Sequence, residues 1–370
     1  MKFSMSSSAM SQAIQNVIGI VPSRSTIPVL SNLLLTTEDG KIKVVATDLD
    51  ITLISWANAS IEEEGETTVP AKILNEVIRE LPETNIQVTV TEDNHITLIT
   101  PSGEFNIAGE SKEDFPSLPV LDVQEKLSVP AAMLKRMIEK TIFACSNDEL
   151  RPALTGAFLT VADNNLEMVT TDGHRLVRII EKNIETDIAK SVIIPTRALN
   201  FLLKGLGGSN DQIVVFGENH ILFELPDFKI YSRLIKENYP DYERVIPKDN
   251  TKEAIVPRNE FLSAARRVSL FASQITNQMR VQIEPEKLTV MAEDVDFGGQ
   301  GKESVPASFN SDLFEIGYNA IYLMDILRHL DTKEVRLLLE TSTKAGLIMP
   351  TEQEENEDLL MLLMPVRLNN

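Results

Sequence analysis

The 370-residue chain has one cysteine, Cys145, so no disulfide can close within it, and zinc sites built on clustered Cys and His are excluded. Histidine is nearly as scarce. His95, His174, His220 and His329 are the only four, and none stands at a metal-ligand spacing from another or from Cys145. No apolar run reaches the ~18 residues of a membrane span. The opening MKFSMSSSAM lacks the apolar stretch of a secretory signal. A cytoplasmic protein is expected, with no metal and no cofactor. Positive charge is short as well: the formal net charge is -20 and the pI near 4.7, which taken alone argues against a nucleic-acid partner. The Gly-x-Ser-x-Gly elbow of hydrolases and the Gly-x-x-x-x-Gly-Lys-Ser/Thr phosphate loop are both missing. Gly205-Leu206-Gly207-Gly208 follows a predicted helix instead of opening one, so it reads as a helix end and turn.

What the chain has is a threefold repeat. Segments beginning at Met5-Ser6, Val129-Pro130 and Val256-Pro257 each read as a short strand, a turn and an amphipathic helix. The apolar stripes are Met10, Ile14, Val17, Ile18; Met133, Leu134, Met137, Ile138, Thr141, Ile142; and Phe261, Leu262, Ala265, Val268. A second helix in each third starts at Val69-Pro70, Ile194-Pro195 and Tyr318-Asn319, with proline expected at the first helical position. Its stripes are Ile73, Leu74, Val77, Ile78, Leu81; Leu199, Leu202, Leu203, Leu206; and Leu323, Met324, Leu327, Leu330. Other landmarks keep step: Thr47-Asp48 recurs as Thr171-Asp172 after 124 positions, and Asn94-His95 as Asn219-His220 after 125. Alternating runs with Asp-Gly or Asn-Asn turns between the helices read as antiparallel strands. The fold class is therefore α+β, with two helices on one face of antiparallel sheet in each of three domains, 1–122, 123–248 and 249–370.

Charge is unevenly distributed over this pattern. The predicted helices 7–18, 71–81, 131–142, 196–206, 258–270 and 320–330 together carry +6, leaving -26 for everything else. Helices aligned on one face would make a basic wall in an acidic shell. The plain alternative is that Lys and Arg merely solvate ordinary helices. Asp48, Asp50, Asp172, Asp294 and Asp296 could suggest a metal site, but their scatter over three repeats favours turn capping.

One copy of the repeat is specialised. Thr171-Asp172-Gly173-His174-Arg175-Leu176 carries a Gly-His-Arg part that its twins Thr47-Asp48-Leu49-Asp50 and Glu293-Asp294-Val295-Asp296 lack, with Gly173 suited to positive φ. With Arg151-Pro152-Ala153-Leu154-Thr155-Gly156, Tyr239-Pro240-Asp241-Tyr242-Glu243-Arg244-Val245 and the terminal Met364-Pro365-Val366-Arg367-Leu368, the chain resembles the bacterial DNA sliding clamps, the beta subunits of DNA polymerase III. The resemblance runs from Met1 to Asn370. It departs from the family pattern at Pro152-Ala153, where some members carry aromatics, and over Gln274–Gln278.

That resemblance implies a non-enzymatic processivity factor: a head-to-tail homodimer whose repeated clamp domains close a ring around duplex DNA without reading sequence. It implies as partners the polymerase III catalytic subunit, the clamp loader and other replication and repair proteins carrying clamp-binding peptides. Their peptides would enter a pocket formed by Leu154, Thr171, Gly173, His174, Arg175, Leu176, Pro240, Arg244, Val245, Leu362, Met364, Pro365, Val366 and Arg367. Expected DNA contacts are Arg24, Lys72, Arg79, Lys135, Arg136, Lys140, Arg197, Lys204 and Arg266, and expected dimer contacts are Leu270 and Phe271. Two other classes compete: a hydrolase using Asp172-Gly173-His174-Arg175, for which no nucleophile or metal is evident, and a scaffold that never touches DNA.

Overall fold

Each helix is entered directly from a strand. In the computed structural model, which describes residues 1–121, 125–207, 211–294 and 298–368, Lys2–Ser6 runs into α1 (Ser7–Ile18) and Glu66–Pro70 into α2 (Ala71–Glu80). Glu125–Pro130 leads into α3 (Ala131–Thr141), Lys190–Pro195 into α4 (Thr196–Gly205), Lys252–Pro257 into α5 (Arg258–Val268) and Phe314–Asn319 into α6 (Ala320–Arg328). The expected intervening turn is not formed, and each proline is the last extended residue, directly before the helix start that the predicted bounds give. Its fixed φ suits that place, and its missing N–H is tolerated at a strand end. Where proline is replaced, a side chain caps the helix: Ser6 Oγ accepts from Ala9 N, and Asn319 Oδ1 from Ile321 N and Tyr322 N.

The apolar stripes face the core with a few corrections. Ile73 lies outward on α2, whose buried residues are Ala71, Leu74 and Ile78. In α1, Ala13 is buried where Ile18 was expected, and in α4 Phe201 joins the buried set. α3 and α5 end earlier than expected because 3-10 turns, Ile142–Ala144 and Ser269–Phe271, follow them. The hairpin after Gly156–Ala162 turns on Asp163-Asn164, both at positive φ, one residue before the expected Asn-Asn pair.

The chain divides into two compact units, Met1–Leu134 with Arg197–Leu234, and Lys135–Thr196 with Ile235–Asn370, so the second repeat gives half of its strands to each. Of the expected boundaries, the one at 122/123 falls outside the described residues, as do Asp296 and Gly208. In the first unit an eight-stranded sheet joins four strands of repeat one to four of repeat two, where Ile51–Asn58 pairs antiparallel with Phe228–Arg233. In the second unit a nine-stranded sheet joins repeat two to repeat three in the same manner, where Arg175–Glu181 pairs with Glu357–Leu363. Each unit also holds a smaller sheet. The five-stranded one ends on Gly103–Ala108, and the four-stranded one ends on Gly299–Pro306.

The second seam carries a buried acid with an electrostatic consequence. Glu181 faces Glu357 directly across it, and both are buried. Burial pushes the Glu181 carboxyl up to about 7; Glu357 and Glu354 add to the rise and Arg136 opposes it. Between the ordinary value of 4.5 and about 7 the folded chain holds a proton that the unfolded chain has released. Stability from this group is therefore full below that window and is lost as pH rises through it. Glu181→Gln should raise the unfolding free energy by ~1–2 kcal/mol at about pH 8 and by clearly less at about pH 5.5, read from urea titrations.

Candidate functional site

The specialised turn is built on a frame that repeat one shares. Thr47 Oγ1 donates to Ile51 O and accepts from Leu49 N, while Asp48 Oδ1 accepts from Asp50 N and Ile51 N. In the second repeat Thr171 Oγ1 donates to Arg175 O and accepts from Gly173 N, and Asp172 Oδ1 accepts from His174 N and Arg175 N. Both aspartates thus cap turns, which accounts for their spacing without a metal. The φ angles match too, +80° at Leu49 and +91° at Gly173. A side chain at Gly173 would meet Arg151 Nη1 at 3.1 Å, so glycine leaves this rim open.

Arg175 is what the second copy adds. It is 8% exposed, and its guanidinium is committed inward. Nε donates to Asp172 at 3.1 Å, Nη1 to Asp325 at 2.8 Å and Nη2 to Phe143 O at 2.7 Å. It also lies 4.6 Å from the Tyr322 ring centroid and 5.2 Å from that of Phe143. Its polar end is thereby occupied, so Arg175 supports the pocket wall through its packing and its inward bonds.

Around this turn lies a cavity of about 290 Å³. Leu154, Thr171, Gly173, His174, Arg175, Leu176, Pro240, Val245, Leu362 and Met364 line it, with Asp241 and Tyr242, which the sequence did not single out. Leu176 and Leu362 stand opposite each other in the strand register, so the seam itself forms the floor. Pro240 and Val245 come from a connector held by stacking of Tyr239 on Phe158 at 4.8 Å and by Tyr242 Oη donating to Glu167 at 2.9 Å. Burial raises the tyrosine hydroxyls above their ordinary range, so both stay neutral. Met364 N donates to His174 O, bringing the start of the C-terminal tail to the rim. Four other residues named for the pocket stand outside the lining. Arg244 is exposed and paired with Asp241, while Pro365, Val366 and Arg367 continue along the tail, where Val366 pairs with Gly317. Cys145 is half-buried and its thiol pushed up to about 11 by desolvation, so it is not a nucleophile at neutral pH.

The basic candidates fall into two groups. Arg24, Lys72, Arg79, Lys135, Arg197, Lys204 and Arg266 are exposed. Some have surface partners: Arg79 with Glu80, Lys135 with Glu139 at 3.9 Å, and Arg197 with Asp48. Lys140 and Arg136 differ. Lys140 is 7% exposed and donates to His329 O at 2.6 Å and Asp331 at 2.5 Å. Arg136 grips Glu357 with two nitrogens and reaches Asp331 at 3.1 Å. Lys140 is therefore not the free surface cation the sequence suggested.

Leu270 and Phe271 are exposed beside the sheet edge Gly299–Pro306; a Cβ added at Gly301 would lie 2.6 Å from the Phe271 ring. The other small sheet ends on Gly103–Ala108, which carries the exposed Phe105. Sequence reasoning missed Phe105 because the repeat was followed through its helices, whereas the signal is the strand's place at an edge.

Comparison with known proteins matches the three repeats domain by domain. Models of the N-terminal, central and C-terminal domains of the DNA polymerase III beta subunit match residues 1–119, 128–241 and 243–367. The beta sliding clamp of Synechococcus elongatus is 32% identical over 361 residues, covering 95% of each chain. The crystal structure of the DNA polymerase III subunit beta from Pseudomonas aeruginosa superposes over 100% of both chains with TM-score 0.94 at 28% identity. A sliding clamp from Bartonella birtlesii, solved bound to griselimycin, is 32% identical with TM-score 0.93, again over 100% of both.

The two turn aspartates should differ in worth. Asp172→Ala strips a buried guanidinium of one partner and should cost about 2–4 kcal/mol. Asp48→Ala, whose partner Arg197 is exposed, should cost about 1 kcal/mol. Equal losses in denaturant titrations of the two variants would contradict the buried role of Arg175.

Proposed function

The chain belongs to the DNA polymerase III beta subunit family, and we propose that two copies close head to tail into a ring that slides on duplex DNA and tethers the replicative polymerase. The observation that carries this reading is the pair of incomplete sheets. Repeat one joins repeat two where Phe228–Arg233 meets Ile51–Asn58, and repeat two joins repeat three where Glu357–Leu363 meets Arg175–Glu181. The strands that correspond to these in the remaining joint are Gly103–Ala108 and Gly299–Pro306, and each ends its sheet. An edge strand presents unpaired N–H and C=O groups, and a second copy supplies the complementary edge. The contact is heterologous, so it propagates in one direction until it closes on itself.

Transposing the internal registers gives the register expected for the outer seam. Ile54 stands opposite Lys229, and Arg178 opposite Leu360. In the hairpins that contain them, Ile54 and Arg178 correspond to Lys302, and Lys229 and Leu360 to Glu104. Lys302 of one copy would therefore face Glu104 of the next, a favourable cross-strand pair. Leu270, Phe271 and Phe105 would be the apolar part of the same interface.

A closed ring needs little affinity for what it surrounds. Arg24, Lys72, Arg79, Lys135, Arg197, Lys204 and Arg266 are proposed phosphate contacts, which position DNA without reading its bases. Such contacts are mobile and salt-sensitive, and the excess negative charge elsewhere discourages binding on the wrong face. The cavity at the second seam is the proposed seat for short peptide segments with apolar anchors, from the polymerase catalytic subunit, the clamp loader and repair proteins, and for griselimycin. No catalytic step is assigned, and the cytoplasm is the proposed compartment. Domains 1–122, 123–248 and 249–370 remain the proposed division.

Retention on DNA tests the ring. After loading onto nicked circular plasmid by a bacterial clamp loader with ATP, the protein should stay on circles through gel filtration and leave once the plasmid is cut. Equal release from circular and linear DNA would mean ordinary surface binding and would overturn the proposal.

A further inference from the structure

The second seam is polarised in charge. Four cations of the second repeat, Arg136, Lys140, Arg175 and Arg178, reach carboxylates of the third repeat. Arg136 holds Glu357 and Asp331, Lys140 holds Asp331, Arg175 holds Asp325 at 2.8 Å, and Arg178 holds Asp358 at 3.4 Å. The pairs lie along the strand register from Glu181↔Glu357 at one end to Arg175↔Leu363 at the other. Two of the cations, Arg136 and Lys140, stand about one turn apart on α3, which would otherwise present them to solvent. Arg136 is a bidentate clamp, the geometry in which guanidinium binds carboxylate best. Lys140 meets the chain just after α6, where the carbonyl of His329 would otherwise lack a partner.

We propose that Arg136 and Lys140 are positioning residues that fasten α3 to the third repeat and so preform the peptide pocket, and that they are not phosphate contacts. The pocket has walls from both sides of the seam: Leu154, Thr171 and His174 from the second repeat, and Leu362 and Met364 from the third. A seam that slides or opens separates those walls without altering any residue that touches a ligand. The cost of a wall out of place is paid on binding, as lost preorganisation. The inference rests on the reading of this cavity as the peptide seat.

Two readouts on the full-length protein separate the roles. Griselimycin affinity is measured by calorimetry, and binding of a short fluorescent duplex is followed against salt. In Arg136→Gln/Lys140→Gln, griselimycin should bind about fivefold or more weakly, while the slope of log affinity for duplex against log salt stays as in the parent. Lys72→Gln should do the reverse, lowering the slope by about one with griselimycin binding unchanged. Asp331→Asn tests the same fastening from the acidic side, and Arg136→Lys should restore part of the griselimycin affinity. A double variant that lowers the salt slope by about two with griselimycin affinity intact would overturn the proposal. Failure of the parent protein itself to bind griselimycin would instead count against the pocket reading, and the salt slope would still decide whether the two residues touch phosphate.

Discussion

Backbone hydrogen bonding at sheet edges is the constraint on which this architecture depends. A strand edge is satisfied by another strand, by cover or by water, and a long exposed edge invites association. Here the chain joins half-sheets through two antiparallel seams of five and seven paired residues. The same arrangement leaves one half-sheet over at each end of the repeat. Strands set the joints and helices fill one face, so the proposed ring would follow from pairing, and its channel chemistry from what the helices carry outward from their buried stripes.

Charge then divides the labour. Exposed Lys and Arg on the helices suit transient phosphate contact, whereas buried or half-buried cations serve the joints. Arg175 shows the difference. Desolvated among Phe143, Tyr322, Asp172 and Asp325, it costs too much to bury without partners and has been given several. Its neighbour His174 keeps its ring near Tyr322 at 6.0 Å and lends its carbonyl to Met364. Pocket, seam and tail thus meet at one turn, whose frame is the plain Thr-Asp cap of repeat one.

Much of this was legible in the sequence, for physical reasons. Helix stripes and turn residues are local signals, so the six helices and the Thr-Asp turns could be placed from spacing. Ile73 was misassigned because the stripe, four of whose five residues fall on the ten-residue α2, is wider than the face the helix buries. Most pocket residues were found through four short strings that resemble a family, not through spacing. Asp241 and Tyr242 lay inside one of those strings and were passed over. The role of Lys140 was not legible at all: its partners lie 189 and 191 positions away, and a lysine on a helix looks the same whether it meets water or a carboxylate. Edge strands are equally silent, since being an edge is a property of topology.

Chemical cross-linking of the missing seam bears most directly on the idea that the repeat completes itself with a second copy. A chain carrying Glu104→Cys and Lys302→Cys places the two thiols opposite each other only if the internal register extends between copies. Cβ atoms at facing positions would then be about 4.5–5.5 Å apart, near the range a disulfide needs; the native Cys145 is only half-buried, so it is replaced by Ser in every variant. Mild oxidation should convert the protein into a covalent dimer on denaturing gels, with both single variants remaining monomeric. A product that stays monomeric under conditions where the reduced protein is dimeric in solution, or that runs as an open ladder of higher oligomers, would contradict closure by two copies through this seam.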